Sequence, residues 1–172
     1  MPLPFLTDGA YAALCLYENE FSIINITGDS FNIYLENITV YSCGGSAVKL
    51  TNCKNIYINR FNVKLLENSS RLLSVTGSAL YSQNAENVKF TNSLIENCAC
   101  DAVSLSGSKN LEIYNCVLRN NFGNGIFGDC EGFEIRNCLF ANNLNAAAFV
   151  NGNKTDGNNC LLVNNNIGGG ND

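Results

Sequence analysis

The sequence predicts an all-β solenoid of about six to seven coils, each with 22–23 residues and three short strands. Three observations predict it. A hexapeptide that begins and ends in asparagine returns at a fixed interval. The residues between its copies alternate apolar and polar in pieces too short for an amphipathic helix. Asparagine makes up 30 of the 172 residues and is spread along the whole chain. Such chains are disordered only where apolar residues are too few to build a core. Here 46% of residues are hydrophobic and 15% charged, and the length suits a single domain over residues 1–172.

The hexapeptide is Asn92-Ser93-Leu94-Ile95-Glu96-Asn97, then Asn115-Cys116-Val117-Leu118-Arg119-Asn120, Asn137-Cys138-Leu139-Phe140-Ala141-Asn142 and Asn159-Cys160-Leu161-Leu162-Val163-Asn164. A fixed period between about 20 and 30 residues marks a solenoid. Each unit holds three alternating segments. The first is Val48-Lys49-Leu50, with counterparts at Ile24, Leu80, Val103, Ile126 and Ala148. The second is Ile56-Tyr57-Ile58, with counterparts at Ile33, Val88, Leu111 and Phe133. The third follows the asparagine: Ile38-Thr39-Val40, Phe61-Asn62-Val63 and the interior of each hexapeptide.

Asn120-Asn121-Phe122-Gly123-Asn124-Gly125-Ile126 and Glu134-Ile135-Arg136-Asn137-Cys138-Leu139-Phe140-Ala141-Asn142-Asn143 resemble the repeat of right-handed parallel β-helices, as in the pectate-lyase-like superfamily. The resemblance spans roughly residues 20–166. It implies a fold and not one function, because that superfamily holds lyases, hydrolases, tailspikes, adhesins and non-enzymatic modules. A leucine-rich repeat is the competing fold, since Leu111-Glu112-Ile113-Tyr114-Asn115-Cys116-Val117-Leu118 fits part of its motif. Against it, Ser30, Cys53, Ala85, Ser108 and Cys130 replace the leading leucine, and no part of the unit has helical spacing.

Stacked coils place like residues over like, so each position becomes a column. Asn37, Asn92, Asn115, Asn137 and Asn159 resemble the asparagine ladder of the family, in which a left-handed bend bonds to the coils above and below. Cys116, Cys138 and Cys160 form an inward column that reads as buried free thiols, small and apolar. They lack the paired spacing of a zinc site, and a straight stack is not a tetrahedron. Cys98 and Cys100 are the one place where pairing or reactivity is expected.

Three outward columns carry the candidate chemistry. On the first segment it runs Asn25, Lys49, Tyr81, Ser104, Phe127 and Phe149. Its aromatics suit sugar stacking or a protein surface, unless another segment covers them. On the third, Thr39 and Asn62 precede Leu94, Val117, Leu139 and Leu161, four aliphatics whose exposure calls for a protein partner or self-association. On the second, Tyr34, Tyr57 and Lys89 precede Glu112 and Glu134. Those two carboxylates could cradle a hard cation, but Lys89 and Arg136 beside them favour ordinary ion pairs.

The third-to-first connection is lengthened once, by an insertion at residues 65–77. Insertions in repeat proteins mark functional faces. Glu67 and Arg71 on this loop, with Lys49, Tyr81, Phe127 and Phe149, are therefore the candidate ligand contacts. Catalysis is poorly supported. With no histidine, Ser-His-Asp, Cys-His and His-ligated zinc chemistry are excluded. Asp101 and Asp129 are the least unsuitable acid pair, and the Asn-Thr-Asp, Gly-His-Gly and Arg-Ile-Lys motifs of polygalacturonases are absent. No metal or other cofactor is expected.

The net charge of −5 offers no cationic surface for nucleic acid, and no apolar run reaches membrane-spanning length. Residues 1–12 suit an N-terminal cap, with Asp8 opening a helix at Ala10, and Leu14-Cys15-Leu16 reads as a third-row strand. The C-terminal end reads as uncapped. Met1-Pro2-Leu3-Pro4-Phe5 lacks a secretory leader's pattern, and nine cysteines suit a reducing compartment, whereas the fold resembled is often extracellular or on virions. These features point to a non-catalytic structural or binding module within a larger assembly, with carbohydrate as a possible ligand. The alternatives are a carbohydrate-active lyase or hydrolase and a surface adhesin repeat. Gly44-Gly45-Ser46-Ala47 and Phe140-Ala141-Asn142-Asn143 carry the last, being similar to the repeats of chlamydial polymorphic membrane proteins.

Overall fold

Short alternating segments can bury one face only by stacking on copies of themselves, and this chain does so. The computed structural model describes residues 11–14, 22–42, 44–65, 74–153 and 156–165. In chain order the strands are β1 (Tyr11–Leu14), β2 (Ile24–Thr27), β3 (Phe31–Ser42), β4 (Val48–Thr51) and β5 (Lys54–Val63). Next come β6 (Leu80–Gln83), β7 (Glu86–Thr91), β8 (Leu94–Glu96), β9 (Val103–Tyr114) and β10 (Val117–Arg119). The last are β11 (Ile126–Arg136), β12 (Leu139–Ala141), β13 (Ala148–Asn151), β14 (Asp156–Asn158) and β15 (Leu161–Val163). The described residues contain no helix.

All named strand pairings are parallel, and the pairs join strands one coil apart. The result is a β-solenoid of about six turns with three rows of strands. The first row runs β2, β4, β6, the start of β9, the start of β11 and β13. The second holds the early parts of β3 and β5, then β7, the ends of β9 and β11, and β14. The third holds β1, the ends of β3 and β5, then β8, β10, β12 and β15. Four strands (β3, β5, β9 and β11) run on through a corner, β11 with a register shift against β9 between Gly128 and Cys130.

Asparagine makes those corners. Every described non-glycine residue with positive φ is an asparagine except Arg60. Its short amide tolerates the left-handed region that a bulkier residue avoids. Along the second-to-third corner, Asn137 donates to Asn115 and Asn115 to Asn92, each at 3.2 Å. Where Arg60 breaks that column, Asn59 takes over and accepts the amide of Asn92 at 2.8 Å.

The interior is filled by the inward member of each alternation. Leu50, Leu80, Val103 and Ile126 come from the first row, and Ile56, Val88, Leu111 and Phe133 from the second. Phe61, Ile95, Leu118 and Phe140 come from the third. Each contributes on the order of 1.5–3 kcal/mol by leaving water. The leucine-rich-repeat alternative fails because no helix backs the rows in the described residues.

Two expectations near the N-terminus are corrected. Tyr11–Leu14 is a strand in the third row, pairing with Ile38–Ser42, and not the first turn of a helix. The third-row strand of this coil therefore lies at 11–14, and Cys15 and Leu16 fall outside the described residues, as do residues 1–10. Alanine favours a helix in isolation, but an open ladder edge offers each backbone group a partner and outweighs that preference.

Candidate functional site

The first-row column forms in the expected register. Lys49 pairs with Tyr81, Tyr81 with Ser104, Ser104 with Phe127, and Phe127 with Phe149. Its aromatics stand in two contacts, one with a lysine and one with each other. The Lys49 ammonium stands 5.7 Å from the Tyr81 ring centre. The Phe127 and Phe149 rings stack at 5.7 Å with planes 20° apart, and they are 45% and 48% exposed. Ser104 separates the two contacts and bonds to Ser78 at 2.6 Å. Glu67 and Arg71, the loop candidates, lie outside the described residues.

The two candidate acids bond to different partners. Asp101 Oδ1 accepts the Asn124 backbone N–H at 2.7 Å and its side-chain amide at 2.8 Å, while Oδ2 accepts from Ser104 at 3.1 Å. Its carboxylate closes a turn. Asp129 accepts one bond from Asn151 at 3.2 Å. Asn124 lies beside Asp101, and Asp129 follows Asn124 by five residues. Asp101 is thus engaged at the bend before β11 and Asp129 further along β11, each with its own partner on a neighbouring coil.

The third-row column is also in register: Leu94 with Val117, Val117 with Leu139, and Leu139 with Leu161. The first three are half-buried and Leu161 is 61% exposed. The cysteines behind them do more than fill space. Cys116 and Cys138 donate their thiols to the carbonyls of Tyr114 and Arg136, each at 3.2 Å, and the Cys138 sulfur accepts the Cys116 backbone N–H at 3.5 Å. Ser93 makes the same pair of contacts one coil earlier, with the Thr91 carbonyl and the Phe61 N–H. The hydrogen bond with Cys138, together with burial, pushes the Cys116 thiol well up. All seven described cysteines are free, and Cys98 is buried while Cys100 is exposed.

A groove of about 350 Å³ lies on the second-row face. One wall is the column Tyr34, Tyr57, Lys89 and Glu112; the other is a line of asparagines, Asn32, Asn55, Asn87 and Asn110. Tyr34 is 61% exposed, and its ring centre is 5.8 Å from that of Tyr57. Lys89 stands over the rings of Tyr57 at 5.8 Å and Tyr114 at 5.1 Å and pairs with Glu112 at 3.1 Å. Glu134 accepts the Tyr114 hydroxyl at 2.8 Å and pairs with Arg136. Burial and that bond push the Tyr114 hydroxyl well up. Glu112 and Glu134 are therefore engaged in ion pairs, and no cluster of three metal-ligating side chains occurs among the described residues.

The asparagine wall is what the sequence reading missed. The signal was present, because each of these four asparagines directly precedes the first inward residue of a second segment: Ile33, Ile56, Val88 or Leu111.

The family model of the right-handed beta helix region matches residues 22–171. No curated protein sequence matches. Among solved structures, one described as "a putative glycosyl hydrolase from Parabacteroides merdae ATCC 43184" is similar, with a TM-score of 0.52 and 11% identity. The match covers 80% of this chain and 82% of that one, and at this identity it is a likeness of fold. The stacked parallel rows, the asparagine corners and the family match agree: this chain belongs to the right-handed β-helix family.

Proposed function

We propose that the chain is a non-catalytic binding module, a rigid rod whose flat faces hold carbohydrate or another protein within a larger assembly. One observation carries this reading. Asp101, Glu112 and Glu134 are tied into turns and ion pairs, while aromatic rings stand exposed in register on strands that cannot bend away. A rigid aromatic surface binds at small entropic cost, since nothing must be ordered first. The Phe127–Phe149 stack is the first-row contact of this kind, and Leu94, Val117, Leu139 and Leu161 make the third-row face a surface for a protein partner or a second copy.

The experiment incubates the chain with neutral and acidic polysaccharides, with and without calcium, and follows both retention and cleavage. Retention without new chain ends is expected. Cleavage that Asp129→Asn abolishes would overturn the non-catalytic reading. The second reading, a carbohydrate-active enzyme, is favoured by the described activity of the similar Parabacteroides structure. The same cleavage assay decides between them.

A further inference from the structure

We propose that the groove on the second-row face is a subsite for a neutral oligosaccharide lying along the solenoid axis. The inference rests on the binding-module reading and gives it a ligand class and a place. The groove extends over four coils, from Asn32 to Asn110, which at ~4.8 Å per coil is about 14 Å, the length of a short glycan. Its two walls offer the two kinds of contact that a sugar makes.

The first wall is aromatic. Tyr34 and Tyr57 pair in register on β3 and β5 with ring planes 35° apart. Because Lys89 stands over the Tyr57 ring at 5.8 Å, Tyr34 offers the more open face. Their ring faces carry partial negative charge, and the C–H faces of a pyranose carry partial positive charge. The second wall is a line of half-used amides. Asn55 donates to Asn32 at 3.1 Å, Asn87 to Asn55 at 3.0 Å, and Asn110 to Asn87 at 2.9 Å. In Asn55 and Asn87 the ladder uses one of two N–H groups and one of two oxygen lone pairs. Each such rung keeps one donor and one acceptor, and both side chains are exposed. A sugar hydroxyl is itself one donor and one acceptor, so the wall repeats, coil by coil, the complement of a glycan edge.

The charges exclude a polyanion. Lys89 is held by Glu112, and the flanking column alternates in sign: Lys54 pairs with Glu86 at 2.7 Å and Lys109 with Glu131 at 3.8 Å. Among the described residues no unpaired cation lines the groove, and the whole chain carries −5. Gly132 stands where the next asparagine would be, with φ +73°, so the amide wall ends at Asn110.

The test is calorimetric titration of the full chain with cellotetraose, mannotetraose, maltotetraose and a polygalacturonate fragment. At least one neutral tetrasaccharide binds. Tyr34→Ala weakens it about five- to tenfold, and Tyr34→Ala with Tyr57→Ala abolishes it. Tyr34→Phe retains the stack, and Phe122→Ala, at an exposed site outside the groove, leaves binding unchanged. Both tyrosines are exposed, so circular dichroism should show each variant folded. Preference for the polygalacturonate fragment overturns the groove assignment and leaves the binding-module reading standing. So does binding that ignores both tyrosines but is lost in Phe127→Ala with Phe149→Ala. A concentration-dependent dimer that Tyr34→Ala dissolves assigns the groove to a second copy and also overturns it. Failure of the wild-type chain to retain any glycan or protein partner sinks both readings.

Discussion

Asn121 donates its side-chain amide to Oδ1 of Asn143, one coil further on, at 2.8 Å, and both side chains are only 1% exposed. Asn143 in turn donates to Asn165 at 2.8 Å and to the Leu118 carbonyl at 3.1 Å. This is a buried asparagine ladder, separate from the exposed one at the second-to-third corner. Its members are the second residues of the doublets Asn120-Asn121, Asn142-Asn143 and Asn164-Asn165. The first residue of each doublet makes the left-handed bend. The second turns inward and satisfies backbone groups that the bend leaves without a strand partner, including the N–H of Cys98.

Replacing Asn143 with alanine should therefore be costly. It strands the backbone N–H and the side-chain amide of Asn121 in the interior, each a penalty of about 1–3 kcal/mol. Asn142→Ala loses an exposed bond and a favourable φ, so it should cost less. Urea unfolding of the two variants measures the difference, and equal midpoints would show that the buried ladder carries no special weight.

Gly128 sits in the first row of β11 with φ +130°, where an added methyl would overlap the Leu105 carbonyl oxygen of the coil before. The Gly128→Ala variant should lose about 2 kcal/mol or more. At Gly157, on β14, a methyl would meet nothing within 4 Å, so Gly157→Ala should be nearly silent. Thermal melts of the pair make the comparison.

Burial pushes the Cys98 thiol from its ordinary 9.0 up to about 12. A thiol raised on folding binds its proton more tightly in the native state. Its stabilisation is complete below the unfolded value and is lost as pH rises from about 9 towards 12. The chain should weaken over that alkaline window, and Cys98→Ala should flatten the decline. At mildly alkaline pH, iodoacetamide should label the exposed Cys100 and spare Cys98, which mass spectrometry of the native protein reads directly.

If the third-row aliphatics meet a second copy, light scattering should show a mass above 18.6 kDa. Leu139→Lys places a charge in the middle of that column and should return the chain to monomer. A wild-type monomer that the substitution does not change would remove self-association through this face.

The period, the three rows and their facing were legible because stacking imposes one rule on every coil. A position that points inward once points inward each time, so Val48, Leu80 and Val103 announce one another. The exposed corner column was legible for the same reason, since Asn92, Asn115 and Asn137 all open their hexapeptides. The helix expected at Ala10 failed because local preference is weak against a waiting strand edge, and that edge is invisible without the coil that supplies it. The thiol bonds of Cys116 and Cys138 were hidden too, because their partners are the carbonyl two residues back and the coil next door.

Sequence alone settled which residues face in and which corners bend, because both follow from repetition and from what asparagine's backbone tolerates. It could not separate Asn120 from Asn121, identical residues one position apart, of which one bends the chain in water and the other bonds in the dark. Nor could it show that the asparagines before Ile56 and Val88 line one groove with Tyr34 and Tyr57. Only the tertiary structure decided those, since burial and neighbourhood belong to the stacked coils and not to any one of them.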